Sequence, residues 1–222
     1  MKLAFFDIDG TLLAGSTERR FFRYLLRKGQ LGPRQIVSFL WFALRHARTY
    51  GSDVLKKNKA YLNGLDVARV QVLAEEFVTA EIVPRLYRPA VQRLQHHLQA
   101  GDTAVLLSGT LEPIAHALGA ALGVQHVRAT ICDERRGRYT SAPPHRHPFG
   151  AAKRVLAAEL AAEIGTELRD AAAYGDSRHD LDLLEAVGHP VAVRPDAPLL
   201  ATARDNRWDI IAGRDGPHVQ LQ

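Results

Sequence analysis

The sequence has little that would cross-link the chain or anchor it in a bilayer. Of its 222 residues only Cys132 is a cysteine, so no disulfide can form within the chain. Such low cysteine use is typical of proteins in a reducing compartment. The longest apolar stretch, residues 36–44, has nine residues including a serine, whereas about 18 are needed to cross a membrane.

We also expect no secretory signal at the N-terminus, because Asp7 and Asp9 fall where such a signal needs an unbroken apolar run. We therefore predict a cytoplasmic protein without a membrane-inserted segment. Hydrophobic residues make up 46% of the chain and charged residues 24%. This composition excludes intrinsic disorder and predicts one or two folded domains.

Acidic residues are scarce in one part of the chain. Residues 15–88 contain 14 Lys and Arg against 6 Asp and Glu, a balance of +8, whereas the remainder contains 15 against 18. A basic segment of this kind suits a nucleic acid, an anionic membrane or a small anionic substrate as partner. It is equally compatible with an ordinary solvated helical surface.

Outside this segment, short apolar runs alternate with helical patterns. The runs are typical of buried parallel strands and cover residues 2–6, 103–107, 170–174, 190–193 and, more weakly, 208–211. Helices are predicted at residues 89–100, 111–122, 149–164 and 180–187. The alternation predicts an α/β fold with a doubly wound, mainly parallel Rossmann-like sheet, to which residues 128–140 add a β-hairpin.

Residues 15–88 interrupt this alternation, because they show helical periodicity and no convincing strand. We predict that they form a helical domain inserted into a Rossmann-like core of residues 1–14 and 89–222. The aromatic residues of the insert are expected to form its hydrophobic core, with a lipid-facing or acyl-binding surface as the alternative: Phe21, Phe22, Tyr24, Phe39, Trp41 and Phe42.

Carboxylates stand at the predicted ends of two strands. Asp7 and Asp9 follow the first strand in the run DIDGT, and Asp176 and Asp180 follow another in GDSRHD. Side chains two apart on a strand share a face, and open α/β sheets bind ligands at the carboxyl ends of their strands. These carboxylates would repel one another without a cation, and all-oxygen ligation favours Mg²⁺ over zinc.

Other metal sites fit the sequence less well. The D-x-D-G pattern also occurs in calcium loops and helix caps, but a calcium loop continues with oxygen ligands at alternate positions, and Leu12 and Leu13 do not supply them. His145 and His147 have a spacing that suits a metal, but the surrounding prolines predict a surface loop.

Further polar residues accompany the carboxylates. Thr11 adds a hydroxyl within DIDGT, and Ser108 follows the second strand with Gly109 next to it. The Ser108 hydroxyl and the adjoining N–H groups could hold phosphate oxygens. Lys153, early in the predicted helix of residues 149–164, would add a positive charge to the same pocket.

In combination, DIDGT, Ser108, Lys153 and GDSRHD resemble the four motifs of the haloacid dehalogenase-like superfamily of aspartate-nucleophile hydrolases. The resemblance extends over essentially the whole chain. The helical insert between the first two motifs is similar to a type 1 cap. The runs SGTLEPIAHALG and YGDSRHDLDLLEAVGHPVAV look most like the phosphoserine-phosphatase-like branch, subfamily IB.

The resemblance implies a Mg²⁺-dependent phosphomonoester hydrolase. Asp7 would attack phosphorus to form an aspartyl-phosphate, and Asp9 would protonate the leaving alkoxide and then activate water. Mg²⁺ would be held by Asp7, the main-chain carbonyl of Asp9 and Asp176. Asp180 would orient the water shell of the ion or Lys153. Asp9 argues for phosphate esters, because family members that cleave carbon–halogen bonds need no such acid.

Two positions depart from phosphoserine phosphatases. Those enzymes carry a Glu nine residues after the nucleophile, where this chain has Ser16, with Glu18 two residues later. They also carry an Asn at the position of His179, which is expected either to touch the substrate or to cap the following helix. We therefore predict as substrate a small phosphorylated metabolite, phosphoserine-like or an amino-alcohol phosphate such as histidinol phosphate.

The basic insert leaves further interpretations open. Lys56, Lys57 and Lys59 are expected to reach the site and select anionic phosphomonoesters. The alternatives are a nucleic-acid-binding module with a vestigial pocket and a membrane-surface protein directed at a lipid phosphate. Because the basic residues are scattered along amphipathic helices without a known nucleic-acid signature, no nucleic-acid partner is expected. No oligomeric state is predicted.

Overall fold

The computed structural model describes residues 2–51 and 54–213. Its main sheet contains β1 (Leu3–Phe6), β2 (Thr103–Leu111), β3 (His126–Thr130), β6 (Ala172–Gly175), β7 (His189–Val193) and β8 (Asp209–Ile211). All neighbouring strands run parallel in the order β3-β2-β1-β6-β7-β8. A separate antiparallel hairpin consists of β4 (Glu134–Arg135) and β5 (Arg138–Tyr139). The predicted fold class is confirmed.

The α-helices of the described residues lie in the insert and on the two faces of the sheet. They are α1 (Thr17–Arg27), α2 (Pro33–Tyr50), α3 (Val54–Lys57), α4 (Val67–Phe77), α5 (Arg88–Gln99), α6 (Glu112–Leu122), α7 (Ala151–Ile164), α8 (Leu181–Leu184) and α9 (Ala197–Asp205). A π-helical turn (Val78–Ile82) and a 3-10 turn (Val83–Arg85) follow α4. None of the described helices is both long and apolar enough to cross a membrane.

The strands are apolar on both sides because helices cover both sides of the sheet. In β1, Ala4 and Phe6 belong to the hydrophobic cluster formed with α5 and α6. Leu3 and Phe5 belong to the opposite cluster, which contains residues of α7, α8 and α9. All four side chains are at most 1% exposed. Alternate side chains of β1 therefore contribute to the hydrophobic clusters on the two faces of the sheet.

The inserted helices pack onto the sheet side that carries α5 and α6. Phe21, Leu25 and Phe77 from the insert share one buried cluster with Ile114 of α6. The β4–β5 hairpin adds backbone hydrogen bonds to the insert: Gly64 N–H to Tyr139 O at 2.8 Å, Tyr139 N–H to Leu65 O at 3.0 Å, and Val67 N–H to Gly137 O at 2.9 Å. The division into residues 15–88 and a core of 1–14 and 89–222 remains a prediction.

The aromatic residues of the insert mostly behave as expected for a core. Phe21, Tyr24 and Phe42 are at most 5% exposed, and Phe22 and Phe39 pack partly buried against the main cluster. Trp41 departs from the expectation because its side chain is 60% exposed.

The predicted hairpin at residues 128–140 is only partly correct. Residues 128–130 belong to β3, the parallel edge strand beside β2, and the hairpin is confined to residues 134–139. The sequence pattern missed β3 because this edge strand mixes polar and apolar residues: its burial alternates, with His126 and Arg128 only half-buried. The predicted helix at 180–187 is also shorter, since α8 covers only Leu181–Leu184.

Candidate active site

The acidic residues lie where the order of strands changes direction. The chain leaves β1 toward β2 on one side, and β6 lies on the other, which creates a crevice at the carboxyl ends of the strands. The Asp7 N–H donates to Tyr174 O at 3.0 Å and so extends the pairing of β1 with β6. Asp7 is thereby fixed at the mouth of this crevice.

The loop after β1 requires a glycine at position 10. Its φ is +90°, and a Cβ at this position would lie 2.1 Å from Oδ2 of Asp176. Only glycine tolerates both the backbone conformation and this close approach. The Gly10 carbonyl accepts a hydrogen bond from Arg194 at 2.8 Å, and that guanidinium lies 4.1 Å from the centre of the Tyr87 ring. Arg194, which the sequence analysis missed, helps to hold this loop.

Lys153 joins two of the carboxylates. Its Nζ lies 2.9 Å from Oδ1 of Asp7 and 2.5 Å from Oδ1 of Asp180, and the residue is only 4% exposed. Burial disfavours the charge on the Lys153 ammonium, but the Asp180 and Asp7 carboxylates outweigh it and raise the pKa of Lys153. Lys153 is therefore a permanent cation at the mouth of the crevice.

Asp180 is fully engaged in holding its neighbours. Its Oδ2 accepts the N–H groups of Asp176 and Ser177, each at 3.1 Å, and the Ser177 hydroxyl at 3.3 Å. With Oδ1 bonded to Lys153, both oxygens of this carboxylate have partners. Asp180 thus fixes the loop after β6 and the position of Lys153.

Three carboxylates form a group suited to a cation. Oxygens of Asp7, Asp176 and Asp180 lie within 4.8 Å of one another. Burial, together with the negative charges of Asp7 and Asp180, raises the pKa of Asp176 to about 8. A divalent cation would relieve this repulsion, and carboxylate oxygens are the ligands that Mg²⁺ prefers. Because Asp180 is engaged elsewhere, Asp7 and Asp176 are the two carboxylates available as ligands.

Asp9 lies in a different environment from Asp7. Its Oδ1 accepts the Thr17 N–H at 2.8 Å. Burial raises the pKa of Asp9 to about 7. The hydrogen bond from Thr17 opposes this shift, and the charge of Asp7 adds to it. Such a group gives and takes protons near neutral pH, as a general acid–base residue must.

Hydroxyl groups line the crevice behind Asp9. The Thr17 and Thr110 hydroxyls are 3.1 Å apart, and Thr110 lies 3.3 Å from the hydroxyl of Ser108, which is 2% exposed. The Thr11 hydroxyl donates to Oδ1 of Asp176 at 3.4 Å. Sequence reasoning missed Thr17 and Thr110, although Thr110 stands two residues after Ser108 and would share its face of an extended strand.

A row of rings borders Gly109. The position of a Cβ on Gly109 would lie 3.3 Å from the His147 ring, and Nδ1 of His147 lies 2.8 Å from the Thr130 hydroxyl, which also donates to Gly109 O at 2.7 Å. His147 lies in a loop, is half-buried, and packs against Gly109 in the last part of β2. Phe149 lies between His147 and His179, with ring centroids 5.7 and 4.3 Å apart.

The insert places a partly buried ion pair next to Asp9. Lys59, 3% exposed, forms a salt bridge with Glu18. Burial raises the pKa of Glu18, although Lys59 opposes the shift, and the charge of Glu18 contributes to the raised pKa of Asp9. Lys57 is half-buried, and the side chain of Lys56 lies outside the described part of the chain. Ser16 accepts the Arg19 N–H at 3.3 Å and caps α1.

Known proteins resemble this chain over most of its length. The family model for haloacid dehalogenase-like hydrolases matches residues 4–185, most of the chain. The chain belongs to the haloacid dehalogenase-like hydrolase family. It is 30% identical to phosphoserine phosphatase SerB1 of Mycobacterium tuberculosis, with 93% of this chain and 69% of that protein covered. It is 28% identical to a histidinol-phosphatase of Neisseria meningitidis, with 94% and 97% covered.

Solved structures share the fold of this chain. A protein of unknown function from Bordetella pertussis superposes with a TM-score of 0.80 at 30% identity, over 95% of this chain and 98% of that one. A phosphoserine phosphatase with a phospho-aspartyl intermediate analogue superposes with a TM-score of 0.63 at 18% identity, over 96% and 94%. The predicted likeness of this haloacid dehalogenase-like hydrolase to phosphoserine phosphatases is confirmed.

Proposed function

We propose that this hydrolase is a Mg²⁺-dependent phosphomonoesterase that forms an aspartyl-phosphate on Asp7. The observation that carries the proposal is the arrangement at the end of β1. Asp7 is held by Lys153 at 2.9 Å, and Asp9 follows two residues later with a pKa of about 7. Carboxylate oxygens of Asp176 and Asp7 lie within 4.8 Å of each other, which would allow one ion to bind both residues. Residues 15–88 are proposed to act as the cap over this core.

The cluster of carboxylates at this crevice fits a hard divalent cation. Asp7, Asp176 and the main-chain carbonyl of Asp9 would hold Mg²⁺, and the ion would neutralise negative charge on the phosphate oxygens. Lys153 keeps the remaining negative charge of Asp7 balanced and its carboxylate in place. The Ser108 hydroxyl, the N–H groups around Gly109 and Lys153 are proposed to bind the phosphate oxygens. The Thr11 hydroxyl contacts Asp176. We therefore propose that Thr11 binds phosphate through its backbone N–H group.

The reaction then needs two proton transfers, and Asp9 supplies both. A carboxylate oxygen of Asp7 bonds to phosphorus while the bond from phosphorus to the ester oxygen breaks, and protonated Asp9 gives its proton to that oxygen. In the second step Asp9 takes a proton from water, whose oxygen attacks phosphorus. The bond to Asp7 breaks, and inorganic phosphate leaves. A pKa near 7 suits both directions of transfer.

The charged pair above Asp9 indicates the class of substrate. Glu18 and Lys59 form the partly buried salt bridge contributed by the insert. We propose that the alcohol part of the substrate meets this pair and therefore one group of each sign. An ammonium on the substrate would bind Glu18, and a substrate carboxylate would bind Lys59. We propose that the substrate is a small phosphorylated amino alcohol or amino acid. The two relatives named above act, by their names, on phosphoserine and on histidinol phosphate.

Hydrolysis assays test the proposal directly. Phosphoserine, histidinol phosphate and p-nitrophenyl phosphate are compared with Mg²⁺ and with EDTA, and EDTA is expected to abolish turnover of all three. Asp7→Asn should remove activity, whereas Glu18→Gln should raise KM for the amino-alcohol phosphates and leave p-nitrophenyl phosphate little changed. Wild-type turnover by Asp7→Asn, or full activity in EDTA, would contradict the proposed reaction. The nucleic-acid alternative instead predicts DNA binding that survives EDTA.

A further inference from the structure

Helix α2 is apolar on two opposite sides. One side faces the insert, where Phe42 is 2% exposed and Phe39 packs against the main cluster. Hydrogen bonds from Asn58 to Phe39 O at 2.8 Å and from Asn63 to the Ser38 hydroxyl at 2.8 Å fix the helix in this orientation. The other side of α2 is therefore held toward solvent.

The solvent side carries large apolar residues at helical spacing. Four side chains lie at positions i, i+3, i+4 and i+7, and each is at least 60% exposed: Val37 (64%), Leu40 (61%), Trp41 (60%) and Leu44 (73%). We call this set the α2 stripe. An exposed apolar stripe of this kind marks an interaction site more often than it marks an ordinary surface.

The charged residues of α2 itself all have one sign. Between Glu18 and Asp53 the sequence contains eight basic residues and no acidic one. Arg34, Arg45 and Arg48 on α2 are exposed. None of the three forms an ion pair with another described residue. At 100° per residue, these arginines project within about 90° of the centre of the stripe, on the side of Trp41.

This combination selects among possible partners. In a symmetric dimer, the arginines of both copies would approach one another across the same stripe, without described acidic residues on α2 to pair with them. An anionic bilayer instead offers acyl chains to the apolar residues and negative headgroups to the arginines. Tryptophan is also enriched where protein meets the membrane interface.

We propose that the α2 stripe and its flanking arginines dock the protein peripherally on an anionic lipid surface. The helix would lie along the interface with its apolar residues among the headgroups and upper acyl chains. This inference goes beyond the proposed hydrolysis and does not depend on it, since no residue of the stripe belongs to the proposed catalytic machinery.

Vesicle co-sedimentation of the full chain tests the proposal. Vesicles of phosphatidylcholine are compared with vesicles that also contain phosphatidylserine, and binding is expected to the anionic vesicles only. The Leu40→Ser/Leu44→Ser variant and the Arg45→Glu/Arg48→Glu variant should each lower the partition coefficient about 10-fold or more. The matched control is Val155→Ser, which removes an apolar side chain that is 56% exposed on α7, and it should bind like the wild type.

Fluorescence gives an independent measurement. The chain has two tryptophans, so Trp208→Phe leaves Trp41 as the sole reporter, and its emission should shift to the blue on anionic vesicles. Hydrolysis of soluble p-nitrophenyl phosphate, if the proposed function holds, should be the same in all of these variants, and circular dichroism checks that each is folded. Absence of vesicle binding, equal binding to both vesicle types, or a dimer that Leu40→Ser/Leu44→Ser dissociates would each overturn the proposal.

Discussion

Replacing Lys153 by Met tests the electrostatic balance of the site. The substitution keeps much of the side-chain volume but leaves Asp7 and Asp180 without the buried cation that lies 2.9 and 2.5 Å from them. Removing one partner of a buried ion pair costs about 3–5 kcal/mol. For a chain of this size, each kcal/mol corresponds to a shift of roughly 2–4 °C in Tm. We therefore expect the Tm of Lys153→Met to fall by about 6–20 °C in the presence of EDTA.

The physical cause can be separated from simple loss of packing. Adding Asp180→Asn to Lys153→Met removes one of the two uncompensated carboxylates, so the double variant should be more stable than the single one. Mg²⁺ should raise the Tm of Lys153→Met more than that of the wild type, because the ion would supply the missing positive charge. Turnover should fall by about 10²–10³-fold with the loss of one group that stabilises the transition state.

Thermal unfolding followed by circular dichroism measures these changes. Arg154→Met is the matched control, because this neighbour on the same helix is exposed and should change the free energy of unfolding by less than about 0.5 kcal/mol. The reasoning is refuted if Lys153→Met unfolds at the wild-type temperature, or if Asp180→Asn lowers the stability of the single variant further.

Three other predictions concern neighbouring residues. Asp9→Asn should lower turnover of alkyl phosphates about 10²–10⁴-fold. Formation of the aspartyl-phosphate from p-nitrophenyl phosphate should be affected far less, because nitrophenolate needs no proton to leave. Equal losses for both substrates in single-turnover assays would count against a general acid. Gly10→Ala should weaken activation by Mg²⁺ about 10–100-fold by displacing Asp176, whereas Gly15→Ala, with similar φ but no atom within 4 Å of its Cβ, should not. Lys59→Met should be more destabilising than Lys59→Met/Glu18→Gln, as unfolding with urea would measure.

Much of the fold could be predicted because most strands of the main sheet, all except the edge strand β3, show a local sequence pattern. Buried runs such as residues 103–107 are apolar on both faces, and β2 indeed starts at Thr103. The edge strand β3 was missed because one side of it is half-buried and carries polar residues. Its assignment depends on pairing with β2, and no local pattern encodes that pairing.

The candidate site likewise contains residues that local motifs predict and residues that only long-range contacts reveal. The side chains of Asp7, Lys153, Asp176 and Asp180 meet as the motifs suggested, because strand ends and a helix start fix their positions. Long-range contacts supply the rest. Arg194 reaches Gly10 from 184 residues away in the sequence, and no spacing rule connects two such residues.

Under the proposed function, the insert is expected to select the substrate, while the residues of the core carry out the chemistry. In the core, Lys153 and Asp180 are occupied with holding Asp7 and the loop after β6. We therefore propose that discrimination of leaving groups comes from the insert, where Glu18 and Lys59 provide partly buried charges beside Asp9. The backbone bonds between residues 64–67 and the β4–β5 hairpin fix how the insert sits on the core. Any transplanted insert would need to preserve these bonds to present its own charged residues to the same crevice.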